Sequence, residues 1–124
     1  MLVRGEVAAA LAVSERLTGL AANDVDVRQL HGEALIASGR LPEAIAALDC
    51  CVALDPHRVD AFLLRAAARH ALGQADSALA DFDRVLALQP GNADALHNAG
   101  TLLARKGKFE PALARLDAAM RRIG

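Results

Sequence analysis

The sequence predicts an all-α protein built as a row of helical hairpins, on two observations. First, four glycines, Gly5, Gly39, Gly73 and Gly107, stand 34 residues apart. Two alanine series keep the same step: Ala10, Ala44, Ala78 and Ala112, then Ala12, Ala46, Ala80 and Ala114. A fixed period of this size marks stacked repeats, each a supersecondary unit that buries its apolar face only against its neighbours. Second, 54% of the 124 residues are hydrophobic but only 2% are aromatic. Ala and Leu dominate, and both are strong helix formers.

On this period the chain is one domain: a partial unit, 1–24, and three units, 25–58, 59–92 and 93–124. The partial unit supplies one helix, about Glu6–Leu20, after which Asn23 and Asp24 turn the chain into the first full unit. First helices are expected at about Asp26–Ser38, Asp60–Leu72 and Asp94–Lys106. Each opens on an acidic residue, which suits the positive end of a helix dipole. Each closes at a glycine of the 34-residue series, where a left-handed cap is available; by the same logic Gly5 marks a turn. Second helices follow at about Pro42–Leu54, Asp76–Leu88 and Glu110–Arg122. Pro42 and Pro111 fall in first turns, where a missing N–H costs nothing, while Pro56 and Pro90 stop the helices before them. The total is seven helices in an alternating antiparallel array.

The columns of the repeat explain the packing. Gly32, Ala66 and Gly100 share one position on the first helices, and Ala44, Ala78 and Ala112 share one on the second. Small residues there let two helices cross closely. Larger knobs form other columns: Leu48, Phe82, Leu116; Leu54, Leu88; and Ile45, Leu79, Leu113. Burying one such side chain contributes about 1.5–3 kcal/mol. Cys51 falls in the column of Leu17, Val85 and Ala119 and is therefore expected as a small buried hydrophobe.

Several functions are argued against. The net charge is −1, from 14 basic and 15 acidic residues, and no basic stripe suits a nucleic-acid backbone. The short run Arg105–Lys106–Gly107–Lys108 is a solvated helix end. No apolar run approaches the ~20 residues of a membrane span. The opening MLVRGEVAAALAV is interrupted by Glu6 and in phase with the repeats, so it reads as structure rather than a leader. Cys50 and Cys51 are adjacent and point apart on a helix, which leaves no disulfide and favours a reducing, cytoplasmic compartment. His31, His57, His70 and His97 fall at different places in the repeat, with no close pair at ligand spacing, so neither metal nor cofactor is expected. No nucleophile motif, phosphate loop or paired carboxylates appear, and the chain does not read as an enzyme.

The stretches AFLLRAAARHALGQADSALADFDRVLALQPGN and ALHNAGTLLARKGKFEPALARLDAAM carry a resemblance. The 34-residue step, the small residue in the first helix, the turn glycine, the second-helix alanine and the closing proline resemble tetratricopeptide repeats over essentially the whole chain. Two columns depart from the family. Arg28, Phe62 and Leu96 stand where a large aromatic is common, and Leu35, Arg69 and Leu103 where Tyr is common. A thinner, alanine-based core is expected.

The resemblance implies a right-handed α-α superhelix whose concave groove, lined by the first helices, holds a peptide or a helix of a protein partner. The implied lining is Asp26, Gln29, Glu33, Asp60, Leu63, Ala67, His70, Asp94, His97, Asn98, Thr101 and Arg105. Members that clamp a terminal carboxylate use Lys, Arg and Asn; the matching Gln29, Glu33, Leu64, Asp94 and Asn98 argue against such a clamp. The N-terminal half of the groove reads as mildly acidic and favours a basic or neutral-polar ligand, although Asp26, Asp60 and Asp94 also serve their helix starts. The leading expectation is a non-catalytic interaction scaffold. The alternative is a positioning segment of a larger bacterial enzyme such as a glycosyltransferase, since both ends fall mid-array. Leu103, Leu113, Leu116 and Met120 are expected to leave apolar surface at the C-terminal end, which favours self-association.

Overall fold

The computed structural model of the chain describes residues 4–20 and 23–123. Seven helices are found among them, and no strand: α1 (Arg4–Leu20), α2 (Val25–Ala37), α3 (Leu41–Leu54), α4 (Val59–Ala71), α5 (Ala75–Leu88), α6 (Ala93–Arg105) and α7 (Phe109–Ile123). Each packs on the next in chain order, and α2 also touches α4. The result is the predicted α-α solenoid, a helix α1 followed by the hairpins α2–α3, α4–α5 and α6–α7.

The first helices begin one residue earlier than the acidic residues suggest. Asp24 caps α2, its carboxylate accepting from the backbone N–H of Asp26 (2.9 Å) and Val27 (3.2 Å). Asn92 caps α6 by accepting from Ala95 N–H (2.9 Å). In these two helices capping thus falls to the residue two before the acid, whereas Arg58 at the start of α4 makes no side-chain cap, and Asp26, Asp60 and Asp94 stand inside the first turn.

Three glycines of the 34-residue series do what the period predicts. Gly39, Gly73 and Gly107 have φ of +79°, +78° and +78°. After each, the next amide reaches back to the helix it leaves: Arg40 to Leu35 O (2.9 Å), Gln74 to Arg69 O (2.8 Å), Lys108 to Leu103 O (2.9 Å). A Cβ on Gly73 would touch nothing within 4 Å, so Gly73→Ala meets only the left-handed backbone penalty. It should cost about 1–2 kcal/mol, read as a lower urea midpoint. Gly5 is different. It lies inside α1 and marks no turn, because no described helix precedes it to be reversed.

The small-residue columns sit at the closest crossings. A Cβ on Gly32 would come within 3.0 Å of Leu48 Cγ and Cδ2, and Ala44, Ala66 and Ala78 have no exposed surface. The largest continuous core joins Phe62 and Ala66 of α4, Phe82 and Val85 of α5, and Ala99 and Leu102 of α6. Leu48 is fully buried, but Leu54, the last residue of α3, is 44% exposed, because the helix stops there with little to cover it. Leu103 is buried rather than exposed. The turn at Gly107 sends α7 back along α6, and that covers Leu103. Phe109 and Leu113 are the large apolar residues left exposed near that end; the side chains of Leu116 and Met120 lie outside the described residues.

One feature breaks the apolar pattern. Asp81 of α5 is buried and held by two arginines of α4. Arg65 Nη2 donates to its Oδ1 (2.7 Å) and Arg69 Nη1 to its Oδ2 (2.9 Å). Arg65 Nη1 also reaches Asp49 of α3 (2.8 Å), and its guanidinium lies 5.4 Å above the Phe62 ring. Burial alone would weaken Arg65 as a base, but the bonds from Asp81 and Asp49 outweigh it and raise its pKa. One carboxylate therefore ties α4 to α5, and the same arginine carries the tie on to α3.

Cys51 is fully buried and Cys50 exposed, and neither is in a disulfide. Desolvation pushes the Cys51 thiol from 9.0 up to about 11. The folded pKa is raised, so this contribution to stability is complete below about pH 9 and is lost as pH rises toward 11. At pH 8 a shift of this size lowers the thiolate fraction about 100-fold. Iodoacetamide should label Cys50 rapidly and Cys51 at least ~100-fold more slowly, as read by peptide mass spectrometry. Equal labelling would contradict the buried placement.

Candidate functional site

The first helix of each hairpin presents one face to a shared groove. Between α4 and α6 lies a cavity of about 310 Å³. Helix α4 supplies Leu63, Ala67 and His70, and α6 supplies Asp94, Asn98, Thr101 and Leu102, with Phe82 of α5 at the base. Helical spacing explains the set. Leu63, Ala67 and His70 step by four and three, as do Asp94, Asn98 and Thr101, so each trio forms one stripe. Between α2 and α4 lies a second cavity of about 280 Å³, lined by Gln29 and Glu33 of α2 and by Asp60, Leu63 and Leu64 of α4. Leu63 is the shared wall of both.

The groove has a chemical gradient. Its floor is apolar: Leu63, Ala67, Phe82 and Leu102. Its carboxylates, Glu33, Asp60 and Asp94, are exposed. Asp26, in the equivalent place on α2, is instead paired with Arg58, which bonds it strongly enough to gain basicity. At the opposite edge Arg105 Nη1 stands 3.5 Å from His70 Nε2. Nine of the twelve groove residues named from the sequence thus meet at the two cavities. Asp26, His97 and Arg105 do not line them, although Arg105 adjoins the rim through His70. Phe82 and Leu102 were missed as lining because each reads as core, and both are indeed almost wholly buried.

The remaining histidines have other surroundings. Ser14, buried in α1, donates to Leu11 O (2.9 Å), so its oxygen accepts from His31 Nδ1 (3.1 Å) across the α1–α2 contact. His57 is exposed, its backbone N–H bonded to Asp55 Oδ1 (3.1 Å). Among the described residues no group of three His, Cys, Asp or Glu could hold a metal ion. No helix among them is long and apolar enough to cross a membrane.

Two families match the chain. The family described as bacterial transcriptional activator domain matches residues 2–89, and that described as tetratricopeptide repeat matches residues 69–123. Solved structures with this hairpin array cover nearly the whole chain. A crystal structure of MamA superposes with a TM-score of 0.92 at 20% identity, covering 95% of this chain and 69% of that one. The chain belongs to the tetratricopeptide-repeat family. The longer match, over more than half of the chain, makes it also a member of the bacterial transcriptional activator domain family. MamA from Desulfovibrio magneticus RS-1, residue 41 to its end, gives a TM-score of 0.88 at 19% identity, with 95% and 67% coverage. YrrB, described as a TPR protein with an unusual peptide-binding site, gives 0.73 at 30% identity, covering 80% of this chain and 51% of YrrB. The tetratricopeptide array therefore spans about two thirds of these MamA chains and half of YrrB. No curated protein matches it.

Proposed function

We propose that this tetratricopeptide array is a non-catalytic scaffold that binds a peptide or protein segment in the groove between α2, α4 and α6. The observation that carries the reading is the pair of adjoining cavities with an apolar floor and a polar rim, divided by Leu63. Ligand sites have this composition: mostly apolar lining with a few polar groups that fix orientation. YrrB, at 30% identity, is itself described as peptide-binding, which supports the class of ligand. The free cysteines support a cytoplasmic setting.

Peptides selected on the intact protein from a random display library test the groove. Leu63→Asp places a charge on the wall shared by both cavities and should weaken selected peptides by at least ~30-fold, the size of an interface hot spot. Asn98→Ala should weaken them by less. Unchanged affinity in Leu63→Asp, with helicity intact by circular dichroism, would exclude this groove.

The match over residues 2–89 favours a second reading, in which the array is the partner-binding segment of a larger protein, here a transcriptional activator rather than an enzyme such as a glycosyltransferase. Fused to a DNA-binding domain, the array would then raise expression from a reporter carrying that domain's site. A reporter left silent would count against it. Self-association through the C-terminal end is supported by Phe109 and Leu113, 63% and 65% exposed on one stripe of α7. Sedimentation should show concentration-dependent association that Phe109→Ser with Leu113→Ser abolishes; a strict monomer at high concentration would refute it.

A further inference from the structure

We infer that the C-terminal end of the α4–α6 cavity binds an aspartate or glutamate side chain of the peptide, at His70 and Arg105, while an apolar side chain fills the cavity itself. The inference rests on the groove reading above. It starts from what the repeat does not require. Arg105 stands in a column with Ala37 and Ala71, both exposed, and His70 in one with Ile36 and Ala104. The same places in other units are built without a base, so neither base is needed to form the helix end. The fold nevertheless brings the two together across α4 and α6, with Arg105 Nη1 3.5 Å from His70 Nε2.

No acid of this chain joins them. Of the arginines within α4 and α6, Arg65 and Arg69 hold Asp81, whereas Arg105 has no carboxylate among the described residues. Lys106, its neighbour, is taken by Asp76 of α5. A contact of 3.5 Å is long for a hydrogen bond. The guanidinium fork thus keeps donors for a ligand, and a carboxylate engages two of them at once. His70 lines the cavity, as does Thr101, one turn before Arg105. Helical side chains lean toward the helix N-terminus, so both bases reach back toward the cavity. A base in a last turn also suits the helix dipole, but Arg69 and Lys106 already stand at the same two helix ends.

Asp94 lines the same cavity, at its other end. It stands eleven positions before Arg105, about 16 Å along the helix, which exceeds the screening length of about 8 Å at physiological salt. Acid and base therefore mark opposite ends of one apolar floor. Leu63 and His70 are the first and last lining residues on α4, about 10 Å apart along its axis. An apolar side chain seated between them lies roughly 5–7 Å from an acid at His70, which an extended peptide covers in two residues. That step also turns both side chains to one face.

Fluorescence anisotropy with labelled, C-terminally amidated nine-residue peptides tests this on the whole protein. Each has a central leucine. One carries Glu two residues before it, one carries Glu two residues after it, and one carries Gln at both places. The Glu peptide that matches the bound chain direction should bind about fivefold tighter than the Gln peptide at low salt and lose most of that advantage at 0.5 M salt. Arg105→Gln should remove the advantage and leave both the Gln peptide and the urea midpoint unchanged. Arg105→Lys, which keeps the charge without the fork, should cost about twofold, as should His70→Gln, while Arg16→Gln, on α1, affects no peptide. A Gln peptide that ends two residues after the leucine in a free carboxylate should gain nothing; a gain equal to that of Glu would overturn the side-chain assignment. Leu63→Asp should weaken the Gln peptide. Equal binding of the Glu and Gln peptides, or a Glu advantage that survives Arg105→Gln, with Leu63→Asp still disruptive, overturns the acid site and leaves the groove standing. Failure of every peptide to bind, or binding indifferent to Leu63→Asp, overturns the groove and the inference together.

Discussion

Asp81→Ala is expected to lower the free energy of unfolding by about 3 kcal/mol, at the lower end of the range for breaking a buried ion pair. Asp81 is almost fully buried, and its two oxygens satisfy Arg65 and Arg69, whose side chains are 13% and 21% exposed. Removing the carboxylate strands two cations near the α4–α5 contact and deletes the tie that joins the two helices of the central hairpin. Arg65 keeps Asp49 (2.8 Å), which limits the loss. Most of the cost is the stranded charge rather than the net worth of the pair. The triple variant Arg65→Met, Arg69→Met and Asp81→Leu, which leaves no cation stranded, should therefore be markedly more stable than Asp81→Ala alone. Methionine keeps an apolar stem over Phe62, where the guanidinium now sits. Urea unfolding of the three proteins checks both statements. A loss below about 1 kcal/mol in Asp81→Ala would place the pair among ordinary surface bridges.

Leu48→Ala should cost about 2–5 kcal/mol, the usual range for truncating a fully buried leucine. Leu48 has no exposed surface and touches the bare backbone of Gly32 across the α2–α3 contact. Gly32→Ala separates packing from backbone effects. In the parent protein the new Cβ meets Leu48 Cγ and Cδ2 at 3.0 Å, and overpacking costs about 1–3 kcal/mol. That outweighs the ~1 kcal/mol that alanine gains over glycine in a helix. In the Leu48→Ala background those two atoms are gone, so Gly32→Ala should stabilise the protein by up to about 1 kcal/mol. The sign of one substitution thus depends on one neighbour, and a double-mutant cycle measures it. The same sign in both backgrounds would show that Gly32 is not held small by Leu48.

Much of this was legible in the sequence for a physical reason: a repeat writes its geometry several times. A left-handed cap needs glycine, so Gly39, Gly73 and Gly107 announced the three turns. A close crossing needs a small residue, so the columns of Gly32 and Ala44 announced the contacts. Helical spacing then placed Leu63, Ala67 and His70 on one stripe, and Asp94, Asn98 and Thr101 on the next. Asp81 was not legible in the same way. Its column holds Val13, Ala47 and Arg115, two apolar residues and a charged one, and only the packing of α4 on α5 brings Arg65 and Arg69 to it.

The sequence by itself determined the helices, their turns and the face that becomes the groove, because each follows from local spacing and backbone preference. Only the tertiary structure decided what depends on a neighbour. The return of α7 over α6 buried Leu103 and left Phe109 and Leu113 exposed. Arg58 neutralised Asp26, while Asp60 and Asp94, one and two periods on, stayed open to the groove. Equivalent positions in a repeat share a backbone but not an environment, and charge and burial are properties of the environment.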